Sequence, residues 1–360
     1  MIYLDNQATT PLAPEARAAM LRQLDGPDGT GFGNPHSPHR MGRMAAAAVE
    51  TAREKVAALF PAGGRVIFTG NACEAINLAM RGAKRSGRIA VSAIEHAAVM
   101  DTAHAVGAPI VIPVGADGCA DPRTNLPSGL AMVCVMQVNN EIGTVQPVAE
   151  LAAQARAAGA LFLCDAVQGA GKFGPPADAD LIAVSAHKIY GPKGIGALWV
   201  RDGVELTPQI TGGLQEGLRS GTLSPALVAG FGAAATLAQD RMEEDAAHAR
   251  RLWDRALDLF GDWQINGSLD NRNHANLSIR REGLDVARLM STCRNVMFSA
   301  GSACASGSGK PSHVLKAIGL SDAEAKSTVR LGWGRYTSLE ELETAAQEIK
   351  AAVKEQELWG

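Results

Sequence analysis

No stretch of this 360-residue chain is apolar over the roughly 18–20 residues needed to span a bilayer, so no membrane span is expected. Its first residues, Met1-Ile2-Tyr3-Leu4-Asp5, have neither a basic start nor an apolar stretch, and no secretory leader is expected. Positive charge is not in excess: 34 Lys and Arg stand against 37 Asp and Glu, a formal charge of −3, which argues against a globally basic nucleic-acid binder. The six cysteines include no Cys-x-x-Cys pair, and a chain this long needs no disulfide staples. No metal site is expected. There is no internal repeat, and no low-complexity tract beyond alanine enrichment. The expected compartment is the cytoplasm. With 46% hydrophobic and 20% charged residues, the chain can bury a sizeable core, and wholesale disorder is excluded.

Through the first two-thirds, short apolar runs alternate with alanine-rich helical stretches. Strands are expected at 66–69, 88–92, 109–113, 131–136, 160–163, 181–184 and 197–200, with helices at 44–59 and 148–158 between them. That alternation predicts a mostly parallel, doubly wound α/β sheet. After Gly230 the composition shifts. One long or broken helix is expected over 225–260, then a strand at 275–279, a helix at 284–292 and a Gly/Ser loop at 300–311. A helix at 314–318, a strand at 327–331 and a closing helix at 339–354 complete the chain. This second part reads as a smaller α+β domain.

Candidate chemistry gathers at strand ends, where open α/β sheets bind ligands. Lys188, one of ten lysines, follows the strand ending at Ser185 in Ser185-Ala186-His187-Lys188-Ile189-Tyr190-Gly191-Pro192. A lysine there can be a Schiff-base nucleophile for pyridoxal phosphate, or an ordinary turn lysine. Asp165 terminates the apolar strand before Ala166-Val167-Gln168, where a carboxylate can pair with a protonated pyridine nitrogen or cap the next segment. Thr69-Gly70-Asn71-Ala72-Cys73-Glu74 opens a helix, and backbone N–H groups at such a start suit a phosphate. His96, in Ile94-Glu95-His96, ends another strand. Cys134 and Cys164 lie in apolar runs and read as inert core cysteines.

In sequence the chain resembles the NifS-like cysteine desulfurases, pyridoxal-phosphate enzymes of fold type I within aminotransferase class V. The matching blocks run from Tyr3-Leu4-Asp5-Asn6-Gln7-Ala8-Thr9-Thr10-Pro11 to Val329-Arg330-Leu331-Gly332-Trp333-Gly334-Arg335. Between them stand Gly33-Asn34-Pro35-His36-Ser37, Val138-Asn139-Asn140-Glu141-Ile142-Gly143, Leu218-Arg219-Ser220-Gly221-Thr222 and Ser299-Ala300-Gly301-Ser302-Ala303-Cys304.

The resemblance implies a large domain at 15–235 built on a mostly parallel seven-stranded sheet flanked by helices. A smaller α+β domain would comprise 1–14 and 236–360. It implies that Lys188 holds pyridoxal 5′-phosphate, with Asp165 on the pyridine nitrogen and Gln168 on the ring hydroxyl. His96 would stack on the ring and move protons. Ser185, His187 and the backbone at Ala72 and Cys73 would hold the phosphate, with Thr222 supplied by the partner subunit of a homodimer. Arg330 and Asn139 would bind the carboxylate of L-cysteine, with Asn139 also contacting the cofactor. Cys304 would accept its sulfur as a persulfide, leaving L-alanine, and pass it to an acceptor or scaffold protein for iron–sulfur cluster or related synthesis. The thiolate is the nucleophile in such a step.

Three features depart from the family pattern. Cys73 stands where a threonine is usual, so a hydroxyl contact would be lost while a backbone contact survives. The Thr211–Leu218 segment is one residue tighter, and only about 25 residues follow Arg335, fewer than in housekeeping members. A selenocysteine lyase or another class V activity is the alternative, and a catalytically silent sulfur-transfer partner a third.

Overall fold

The computed structural model describes residues 1–213, 216–301 and 311–359. Its largest sheet has seven strands, in the spatial order Gly64–Thr69, Gly196–Arg201, Leu181–Ser185, Leu161–Asp165, Leu130–Cys134, Arg88–Ser92 and Ile110–Ile112. Gly196–Arg201 runs antiparallel to both neighbours, and all the other pairings are parallel. Parallel strands covered on both faces read as continuous apolar runs rather than alternating ones. Leu130–Cys134, Leu161–Asp165 and Leu181–Ser185 are accordingly buried at every position.

A four-stranded antiparallel sheet forms from Ser299–Ala300, Thr328–Gly332, Asn276–Arg280 and Gln264–Ile265. The chain start joins this part: Ile2–Tyr3 pairs in parallel with Val296–Met297. One set of buried apolar residues extends from Ala13 to Ala238 on one side of the large sheet. Another unites Ile2 and Leu4 with residues from Leu252 to Val353 around the small sheet.

The stretch expected as one long or broken helix is two helices, Pro225–Asp240 and Met242–Leu259, parted at Arg241. Neither Gly nor Pro marks the break; Arg241 leaves helical geometry at φ −109° and ψ 7° and bridges Glu244 in the next turn. Among the described residues no helix is long and apolar enough to cross a membrane, and no cluster of His, Cys, Asp and Glu could hold a metal ion.

One glycine lets a sheet strand approach the start of the Ala72–Gly82 helix. A Cβ on Gly196 would lie 2.6 Å from the Val184 carbonyl oxygen, 2.7 Å from the Asn71 carbonyl carbon and 3.0 Å from the Ala72 nitrogen. All three are backbone atoms with no rotamer to yield. Gly196→Ala is therefore expected to push the start of the Ala72–Gly82 helix out of place and to cost about 1–3 kcal/mol of stability. A denaturant titration and the cofactor's dissociation constant check this; unchanged values for both would contradict it.

Candidate active site

The carboxyl ends of the central strands open into a cleft of about 770 Å³. Lys188, Asp165, Gln168, Ser185, His187, His96, Ala72, Cys73 and Arg330 all line it. Strand order explains the convergence, because 181–185, 161–165 and 88–92 end at the same edge.

Lys188 closes a single 3₁₀ turn, Ala186–Lys188, directly after the strand ending at Ser185. Its ammonium donates to the carbonyl oxygens of Gln7 at 2.5 Å and Ala8 at 2.8 Å. The turn is then locked by Tyr190, the one non-glycine residue with positive φ, at 66°, among the described residues. A left-handed tyrosine costs about 1–3 kcal/mol and persists where surrounding contacts over-determine it. Here the Tyr190 N–H donates to Thr10 Oγ1 at 2.8 Å, and its hydroxyl accepts from the Arg335 N–H at 2.7 Å.

Asp165 is the last residue of its strand, and its Oδ1 accepts from the Val167 N–H at 2.9 Å. Burial raises its pKa, while the charges of His96 and Lys188 and the Val167 N–H act in the opposite sense. A cationic partner would hold this carboxylate ionised. His96 caps the helix Ala97–Val106, with Nδ1 accepting from the Ala98 N–H at 3.1 Å. That acceptor role places the proton of the neutral ring on Nε2.

His187 sits 3.1 Å from Thr9 Oγ1 through Nδ1. Burial, and then the charges of Lys188, Lys193 and Lys172, push its pKa down to about 4, so the ring is neutral. Ser185 Oγ and Gln168 Oε1 are buried with no hydrogen-bond partner. Gln168 Nε2 donates to the Gln7 carbonyl at 2.9 Å. At the helix start, Asn71 Oδ1 accepts from the Glu74 N–H at 3.0 Å. Glu74 also pairs with Arg219 at 2.8 Å, tying the segment that carries Thr222 to this turn.

Arg330 is 1% exposed; Nη2 bridges Asp5 at 2.8 Å and Nη1 donates to the Asn140 carbonyl at 3.1 Å, while Nε is buried without a partner. Asn139 lies beside this cleft, between Val138 and Asn140, which line it. It does not line the cleft. Its Nδ2 donates to the Ile94 carbonyl, and its Oδ1 accepts from the N–H groups of Glu141 and Ile142. The amide is engaged in shaping the turn behind the cleft wall, which leaves it little capacity for a substrate. Thr222 is exposed and does not line this cleft either. Cys304 lies outside the described residues, as do the two central residues of the tight 211–218 segment.

Two acids and a histidine are not singled out by the sequence pattern. Glu95 is fully buried, with Oε1 accepting from Ser92 Oγ at 2.5 Å and the Met136 N–H at 2.8 Å, and Oε2 unpartnered. Glu141 Oε2 accepts from Ser312 Oγ at 2.5 Å, and His313 Nε2 lies 2.8 Å from the Glu95 carbonyl oxygen. An acid flanked by apolar residues at a strand end is the signal that could have raised the two acids. Burial lifts Glu95 from 4.5 to about 8, against the Ser92 and Met136 hydrogen bonds and with the Asp165 charge. Burial lifts Glu141 to about 7, against Ser312 and Arg330.

The raised pKa of Glu95 makes stability depend on pH in one direction. The folded state holds this proton where the unfolded chain has lost it, so stability falls as pH rises from about 4.5 through about 8. Glu95→Gln, neutral at every pH, is expected to flatten that decline, since a tenfold difference in proton affinity between the two states is worth about 1.4 kcal/mol. Urea midpoints at a series of pH values measure it. An identical slope in wild type and variant would show that Glu95 does not carry the effect.

The aminotransferase class-V family model matches residues 2–344. The chain belongs to this family. Its cofactor is pyridoxal 5′-phosphate. The chain is 38% identical, over 374 residues, to the cysteine desulfurase IscS of Rickettsia bellii, covering 97% of this chain and 90% of the relative. Among solved structures, a NifS-like protein superposes with a TM-score of 0.89 at 28% identity, covering 98% and 99% of the two chains. A structure described as SspA in complex with cysteine gives 0.80 at 30% identity, covering 94% and 100%.

The residues present fit the class-V cofactor. Buried polar atoms without partners are costly unless a ligand completes them, and Ser185 Oγ and Gln168 Oε1 are two such atoms on residues lining the cleft. A buried carboxylate at Asp165 suits a protonated ring nitrogen, and the helix start at Ala72 suits a phosphate.

Proposed function

We propose that this protein is a pyridoxal-phosphate-dependent L-cysteine desulfurase. It takes the sulfur of L-cysteine onto Cys304, leaves L-alanine, and hands the sulfur to an acceptor protein. The observation that carries this reading is the convergence of Lys188, Asp165, His96 and Arg330 in one cleft with two unpartnered buried polar atoms.

When bound, the cofactor supplies an electron sink for the carbanion formed at the substrate Cα. Asp165 would keep the ring nitrogen protonated, and Gln168 would meet the ring hydroxyl. Ser185, neutral His187 and the backbone of Ala72 and Cys73 would hold the phosphate, with Thr222 reaching across from a partner subunit. Arg330 binds the substrate carboxylate through charge-assisted hydrogen bonds. Asn139 supports that contact by fixing the turn that carries the Asn140 carbonyl, to which Arg330 is tied. Lys188 would hold the cofactor before substrate arrives, and its Nζ, when free, would take and return the proton at the substrate Cα. His96, with its proton on Nε2, serves the proton exchanges on the sulfur side. The Cys304 thiolate then attacks the substrate sulfur: a sulfur–sulfur bond forms as the carbon–sulfur bond breaks, the electron pair of that bond stays on Cβ, Cβ takes a proton relayed by His96 from the substrate thiol, and the atoms sum to alanine plus an enzyme persulfide.

We also infer a homodimer acting in the cytoplasm, with iron–sulfur cluster assembly the use of its sulfur. The chain divides into 15–235 and 1–14 with 236–360. Exposure of Thr222 supports the shared site, and closed two-fold symmetry is the common solution for such enzymes. Mixing Lys188→Ala with Thr222→Ala subunits tests the sharing. Mixed dimers are expected to regain one unaltered site and part of the activity; a fully active monomer at high dilution would contradict it.

A further inference from the structure

A second, smaller cavity of about 110 Å³ lies between the two parts of the chain. Gln7 lines both it and the cleft, whereas Arg330 lines only the cleft. A buried water needs roughly 10–15 Å³ of such space, so there is room for a ligand of several heavy atoms. Much of the wall is apolar, with Tyr190 and Trp333 among its larger side chains.

The charges around this cavity do not balance. Asp245 is its one carboxylate, and Arg335 already holds it through Nε and Nη2 at 2.6–3.1 Å. The Arg335 side chain is 4% exposed, and its Nη1, beside Tyr336, completes no hydrogen bond of normal geometry. Lys172 adds a second cation, its partly exposed side chain making no hydrogen bond or ion pair among the described residues. Burial, and then the Lys188 charge, lower its pKa to about 8, and Asp245 only partly compensates. His274 also lines the cavity and is held below its ordinary value by burial, then by Arg250 and Arg272, so it adds no charge at neutral pH. One positive charge is left without a partner at the mouth of a partly open, largely apolar cavity, an arrangement that a bound anion would complete.

We propose that this cavity binds a small monocarboxylate, its charge meeting Lys172 and Arg335 and its short apolar body lying within the apolar wall. Two cations against one carboxylate call for a single negative charge, and the volume restricts the body to a few carbons. A larger or doubly charged ligand fits neither count. The ligand would touch both parts of the chain and press on Gln7, whose carbonyl holds the Lys188 ammonium. Occupancy and the state of Lys188 are then linked, and the linkage is reciprocal. This site does not rest on the desulfurase reading.

The test is titration of the cofactor-loaded protein with ¹³C-labelled butyrate, followed by NMR. One saturable site is expected. Lys172→Gln is expected to weaken it about tenfold or more, the effect of losing a charge-assisted hydrogen bond. Lys172→Arg is expected to retain it, and so is Arg330→Gln. Should Lys172→Gln fail to fold, the wild-type protein decides: an Overhauser contact between butyrate and the Trp333 ring places the ligand. The proposal is overturned by absence of saturable binding, by indifference to Lys172→Gln, by loss in Arg330→Gln alone, or by a missing Trp333 contact at saturation.

Discussion

Lys188→Ala is expected to abolish the covalent hold on the cofactor and to lower turnover by at least ~10²–10⁴-fold, the usual contribution of a positioned proton carrier. Lys188 is the only lysine lining the cleft among the described residues, and its ammonium is fixed by two carbonyl oxygens at the chain start. Alanine removes both the amine that bonds the cofactor and the base beside the substrate Cα. The check is borohydride reduction followed by digestion and peptide mass analysis. Wild type is expected to carry the cofactor on the Lys188 peptide, and the variant to carry none. Cofactor mass on the Lys193 or Lys172 peptide would contradict the assignment.

Asp165→Asn is expected to keep the fold and some cofactor, yet lose most activity. The amide is nearly isosteric and its oxygen can still accept from the Val167 N–H, so the strand end should hold. A neutral group cannot keep the pyridine nitrogen protonated. Loss of one hydrogen bond to a charged group is worth about 1.5–3 kcal/mol, or roughly ten- to 150-fold in cofactor affinity. The loss in turnover is expected to be larger, because the electron sink weakens as well. Equilibrium dialysis and alanine release measure the two effects; near-wild-type alanine release would contradict the role of Asp165.

The central strands were legible in the sequence because both their faces are buried, which turns each into an unbroken apolar run such as Leu161-Phe162-Leu163-Cys164. Ile2–Tyr3 and Val296–Met297 were not, since two-residue strands exist only through pairing between chain segments far apart in sequence. The division of the 225–260 stretch was half legible. No helix breaker occupies position 241, and the stop lies in backbone geometry and an ion pair.

In the site, Lys188, Asp165 and His96 were legible as polar residues at or just past the ends of apolar strands, a pattern that places them at one sheet edge. The partners of Asn139, a carbonyl from the end of another strand and two amides of its own turn, were not legible, because no residue pattern records them. The raised pKa values of Glu95 and Glu141 were hidden for a related reason: they arise from burial, which tertiary packing alone determines. Tyr190 gave no warning of its left-handed backbone, since tyrosine has no preference for it.

The most direct test of the account follows sulfur onto one residue. Protein exposed to one equivalent of L-cysteine is digested without reductant, and the cysteine peptides are weighed. The account predicts a gain of one sulfur atom on the Cys304 peptide, with L-alanine released in equal amount, and neither product in Cys304→Ser. Sulfur found instead on the Cys73 or Cys293 peptide, or undiminished alanine release by Cys304→Ser, would contradict it.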